Sequence, residues 1–143
     1  MFNILANYIF PIKKAKLNRG FMLIISALLL IFIGLVHSYL GEKHIITRLF
    51  KRELPKLFGS DMFTKQVLRF AWHLTTIAWF GFAAILVELS TDSPDFLKTS
   101  LYIISVVFLI SGAMSFGYTK GRHYSYLVFW AVTVICGYVA SVS

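Results

Sequence analysis

The sequence predicts an all-α integral membrane protein: a four-transmembrane-helix bundle with an interfacial amphipathic helix between the first and second spans. Three observations predict it. Of 143 residues, 58% are hydrophobic and only 14% are charged, whereas soluble domains carry roughly 25% charged residues. Mean hydropathy is +0.76, and the apolar residues fall in blocks rather than being spread along the chain. Four of these blocks reach the ~20 residues that a spanning helix needs. None alternates with the period of two expected of a membrane barrel. Helices satisfy their own backbone groups in lipid, so they are the expected solution.

The opening residues, "MFNILANYIFPI" (1–12), are apolar but too short to span, and read as a surface segment. Lys13, Lys14, Lys16 and Arg19 then precede the first span, "FMLIISALLLIFIGLVHSYL" (21–40). That run exceeds the ~7–15 residues of a signal-peptide core and no small-residue cleavage site follows, so it reads as a retained transmembrane helix. In the 41–66 connection, Ile45, Ile46, Leu49, Phe50, Leu54, Leu57 and Phe58 recur at three- and four-residue steps. Lys43, Arg48, Lys51, Arg52 and Lys56 fill the other face. This pattern predicts an amphipathic helix over about 43–58, lying on the bilayer and interrupted near Pro55.

The second span covers 67–89, with Ser60 as the expected cap of a helix that starts outside the membrane. "DSPDF" places Ser93 as N-cap, Pro94 at the first helical position and Asp95 in the first turn of the third span, 97–118. "GYTKGRH" is a tight connection, so the fourth span, 124–142, is expected antiparallel to the third. Residues 1–143 read as a single membrane domain without internal repeats.

The formal net charge is +8. The charges sit in the gaps between apolar blocks, where they act as topology signals and headgroup contacts, so the expected partner is the lipid bilayer and no nucleic acid. Nine of the 14 Lys and Arg residues lie in or beside the 41–66 and 119–123 connections, and five on the other side. The positive-inside rule then sets those connections in the cytoplasm and both termini outside, in a bacterial inner membrane. The basic residues ahead of the first span pull the other way. Cys136 is the one cysteine, so neither an intramolecular disulfide nor a zinc-type Cys pair can form.

The chemistry, such as it is, gathers in histidines. With alternating spans, His37, His44, His73 and His123 all belong to one membrane face. Gly34, His37, Gly41 and His44 are spaced to share a helix face, as are Arg69, His73 and Thr76. Ionisable groups at membrane depth usually face the bundle interior. Three readings compete. His37 and His73 could be axial ligands of a haem b. His37, His73 and His123, with Glu42 or His44, could bind a transition metal such as zinc, copper or iron. Or the histidines hydrogen-bond locally and bind nothing.

Other chemistry is thinly represented. No acid lies in the middle of a span, which argues against a simple proton-coupled exporter. No G-x-S-x-G, HExxH or P-loop pattern occurs. Ser38 and Ser125 lie near histidines without an evident orienting acid, so no catalytic residue is assigned. Trp72, Trp79, Tyr118, Tyr124 and Tyr126 could line a flat cofactor or quinone, although most aromatics near span ends form an interfacial belt. Ser111 with Ser115, Ala113 with Gly117, and the later Gly137 and Ala140 are small-residue packing surfaces, within the bundle or between copies in a homo-oligomer. The expected function is that of a non-enzymatic accessory subunit or small-ligand binding protein with a His-lined polar pocket at one membrane face. The alternative is a haem- or metal-dependent redox protein using His37 and His73.

Overall fold

The computed structural model describes residues 17–91 and 93–143. Its long helices are α1 (Phe2–Leu40, described from Leu17), α3 (Met62–Thr91), α4 (Phe96–Thr119) and α5 (Ser125–Val142). All four are long and apolar enough to cross a membrane. Between α1 and α3 lie a π-helical segment, Gly41–Ile46, and a short α2, Thr47–Leu49. The expected apolar surface segment at residues 1–12 lies outside the described residues.

The chain forms the helical bundle by packing each span on the next. α1 rests on α3, α3 on α4, and α4 on α5. The order is antiparallel throughout. Between α1 and α3, Gly20 meets the Ser90 carbonyl at one end, while Glu42 meets Arg69 at the other. Between α4 and α5, Gly137 meets Ser105 and His123 meets Ser115.

The interior is built from small residues. Ala27, Ala83 and Ala140 are buried, as are Ser111, Ser115 and Thr119, which are the largest side chains that are fully enclosed. Large apolar residues such as Phe32, Leu35, Val128 and Ile135 point outward. In lipid there is no hydrophobic drive between helices, so small side chains that let backbones approach, and hydroxyls that bond across, make the interfaces. Ser105 Oγ donates to the Thr133 carbonyl (2.9 Å), and Thr133 Oγ1 donates back to the Ser105 carbonyl (3.3 Å), clamping α4 to α5. Of the two small-residue pairs expected on α4, Ser111 and Ser115 pack inside, whereas Ala113 and Gly117 face outward.

The joints follow local chemistry. Lys120 and Gly121 take positive φ (52° and 74°), and the Gly121 N–H closes on the Phe116 carbonyl, reversing the chain between α4 and α5. Ser93 Oγ accepts the Asp95 N–H (3.2 Å) as the expected cap would, although regular helix starts only at Phe96. Ser60 does not cap by its side chain. Its backbone pairs with Leu57, and Asp61 stands directly before α3. Lys65 hydrogen-bonds the Asp61 carboxylate at 2.6 Å and holds it below its ordinary pKa of 3.8.

The helix expected over 43–58 needs correction. Helical backbone runs from α1 without a break through the π segment to Leu49, and residues 53–56 carry no regular structure. Pro55 accounts for the second half: it lacks an N–H, and its ring drives Leu54 out of the helical region. The first half is not separate from the span. The helix from Leu17 to Leu49 has 33 residues, about 50 Å at ~1.5 Å each, whereas the hydrocarbon layer is ~30 Å thick. Its last turns therefore extend past the apolar layer.

Candidate functional site: a hydroxyl, imidazole, carboxylate and guanidinium chain between α1 and α3

The first interface carries polar groups along one end. Ser38 and Glu42 lie on one side of α1 and its extension, four residues apart and so on one face. Arg69, His73 and Thr76 answer from α3. Ser38 Oγ lies 2.7 Å from His73 Nδ1, and His73 Nε2 lies 3.3 Å from Glu42 Oε2. Arg69 grips the same carboxylate with two nitrogens, Nη2 to Oε1 at 2.8 Å and Nε to Oε2 at 3.2 Å. A carboxylate can only accept, so His73 donates through Nε2, and in the neutral ring Nδ1 accepts the Ser38 hydroxyl proton. The Arg69 guanidinium also covers the Phe50 ring, 4.9 Å from its centroid. The group is not sealed: the side chains of Glu42 and Arg69 are 36% and 35% exposed, and that of His73 18%.

His37 belongs to a second knot, one residue along α1 from Ser38. Its ring stacks on Trp72 (centroids 4.4 Å apart, planes 4° apart) and meets the edge of Trp79 at 5.0 Å. Its Nε2 lies 3.3 Å from both the Trp72 carbonyl and Thr75 Oγ1. The Trp72 indole N–H donates back to the His37 carbonyl at 3.2 Å. Gly41 makes this possible. A Cβ there would fall 2.0 Å from Trp72 Nε1 and 2.2 Å from Cε2, inside the indole.

The π segment decides what else reaches α3. A π turn holds one residue more than an α turn. The buried positions are accordingly Gly41 and Ile46, five apart. Past Gly41 the buried position falls to Ile46, so His44 stays exposed, on the wall of a groove that His37 and Gly41 also line.

His123 stands in a third group, on the α4–α5 turn. Its Nδ1 is 2.7 Å from Ser125 Oγ, which is 2.7 Å from Ser115 Oγ, and Thr119 Oγ1 receives the His123 N–H. Phe63 and Phe70 of α3 face its ring at 6.5 and 6.3 Å. The structure therefore joins His73 to Glu42 and sets His37 and His44 along the wall of one groove, but leaves His123 in separate surroundings. Among the described residues no group of three or more His, Cys, Asp or Glu side chains is placed to hold a metal ion. His37 and His73 lie on neighbouring helices, as a haem would require. However, both ring nitrogens of His73 and the Nε2 of His37 already have protein partners.

The sequence had marked Glu42, His73, Arg69 and Thr76. It had not marked the link from Ser38 to His73, the contact of Gly41 with Trp72, or Thr75. The one usable signal was the seven-residue spacing of Gly34 and Gly41, which puts two side-chain gaps on one helix face. Comparison with known proteins finds no family model, no curated protein and no solved structure that matches the chain.

Proposed function

We propose that this is a non-enzymatic component of a bacterial inner membrane, an accessory subunit, with the 41–66 and 119–123 connections on the cytoplasmic side and the termini outside. The observation that carries this reading is that Ser38, His73, Glu42 and Arg69 are hydrogen-bonded in series across the interface, so together they fasten α1 to α3.

The same residue types could serve acyl transfer, but the surroundings speak against it. Ser38 lies inside α1, where neighbouring N–H groups are used by the helix. Two free donors aimed at a developing oxyanion are what such a reaction needs. The outward surface supports the subunit reading. Among the described residues α3 is the one other spanning helix that α1 packs on, leaving Leu28, Leu29 and Phe32 at least 60% exposed, a face available to lipid or to a neighbouring helix.

The test is photo-cross-linking in native membranes, with a photoreactive residue at Leu28 or Phe32 on α1 and at Val134 on α5. A discrete adduct to one other polypeptide from α1 supports the subunit reading. Monomer alone from every position rejects it. An oxidised and dithionite-reduced absorption spectrum of the same protein addresses the alternative: a Soret band with reduced α and β bands would replace the subunit reading with a b-type cytochrome.

A further inference from the structure

On the outer flank of the α1–α3 pair two hollows meet end to end. The upper is a groove of about 420 Å³ between α1 and α3, walled by Ile33, Val36, Leu40 and Trp79. The lower, about 320 Å³, is formed by Arg48, Leu49 and Arg52. They share His44 and Ile45, so the apolar groove runs directly into the basic pocket. Depth fits this division. Counting ~20 residues of hydrocarbon from Phe21 brings the boundary to Leu40; His44 follows about 6 Å beyond it, at headgroup level, and Arg48 about 12 Å beyond it, its long side chain able to reach back toward the phosphates.

The charges there are available. Arg69 is held by Glu42, Lys65 by Asp61, and Lys43 donates to the Tyr39 hydroxyl. Arg48 and Arg52 make no side-chain hydrogen bond or ion pair with any described residue. Two open guanidiniums beside an imidazole favour a phosphate. An apolar channel leading from them into the bilayer favours an acyl chain.

We infer that this composite groove is a binding site for one anionic phospholipid, its phosphate between Arg48 and Arg52 beside His44 and one acyl chain along α1 against Trp79. A free phosphate would leave the apolar half unused. A second copy of this chain would bring more positive charge to a basic surface. The site stands whether or not the chain is an accessory subunit.

The experiment is quenching of tryptophan fluorescence by brominated acyl chains. The protein is reconstituted into phosphatidylcholine vesicles containing the same mole fraction of either brominated phosphatidylglycerol or brominated phosphatidylcholine. Quenching is expected to be stronger with the anionic lipid, and Trp79→Phe to remove part of the excess, the rest coming from Trp72 in the same groove. Each surface arginine is worth about fivefold in attraction to anionic lipid, so Arg48→Gln with Arg52→Gln is expected to lower apparent affinity about 25-fold. Lys51→Gln with Lys56→Gln removes equal charge elsewhere and is expected to keep the preference. Circular dichroism melts verify that all variants fold.

Equal quenching by the two lipids overturns the inference. So does equal loss of preference in the lysine pair, which would mean diffuse charge, or abolition of the excess by millimolar inorganic phosphate, which would mean a headgroup-only site.

Discussion

Gly41→Ala tests whether the α1–α3 interface is built as described. The new Cβ would lie 2.0, 2.2 and 2.4 Å from Trp72 Nε1, Cε2 and Cζ2. Carbon atoms rest at about 3.5–4.0 Å, so the indole must retreat by about 1.5 Å. It cannot do so and keep its hydrogen bond to the His37 carbonyl and its stack on the His37 ring. Overpacking costs about 1–3 kcal/mol, the hydrogen bond contributes about 1 kcal/mol, and an aromatic pair about 0.5–1.5 kcal/mol. Replacing a helical glycine returns about 0.5–1 kcal/mol. The expected net loss is about 3 kcal/mol.

The assay is unfolding in mixed micelles of dodecyl maltoside and increasing SDS, followed by circular dichroism. Trp72→Phe provides the partner variant, because a smaller ring leaves room for the added methyl. The double variant is expected to fall short of the summed losses by at least about 1 kcal/mol, the signature of residues in contact. Wild-type stability in Gly41→Ala, or strict additivity in the double variant, would refute the close approach of Gly41 to Trp72.

Two further predictions concern the charges. Glu42→Gln is expected to lose about 1 kcal/mol, because a pair about one-third exposed is discounted toward the surface range. Arg69→Met is expected to lose a similar amount, and the double variant little more. Additive losses in the same unfolding assay would mean that the two side chains do not act as a pair. Asp61, held below its ordinary pKa by Lys65, favours the folded state at neutral pH. That contribution is present above the unfolded value of 3.8 and is lost as the pH falls through the lower folded value. Asp61→Asn should therefore narrow the difference in stability between pH 6 and pH 3, and an unchanged difference would remove Asp61 from the account.

The spans were legible because lipid imposes a simple requirement of length and apolarity, and α1, α3, α4 and α5 each meet it. The end of the first helix was not. Apolarity stops at Leu40, but hydrogen bonding continues to Leu49, since a helix leaving the membrane needs no apolar residues to persist. The shared membrane face of the histidines could be read from topology alone. Which of them come together could not, because it depends on which spans pack together and on a π segment with no sequence signature. The pairing of Glu42 with Arg69 likewise needed the register of α1 on α3, which residues 27 positions apart do not reveal.

The π segment makes this chain sensitive to length as well as to composition. Each residue advances a helix by about 100°. Removing any one residue between Gly41 and Ile46 would restore an ordinary α turn and swing everything beyond it by about that angle. Ile46 would leave its buried seat, and the arginines that follow would face a different quarter of the membrane surface. Substitutions there can be absorbed one side chain at a time, whereas a single codon lost would move the whole exit from the bilayer out of phase with α3.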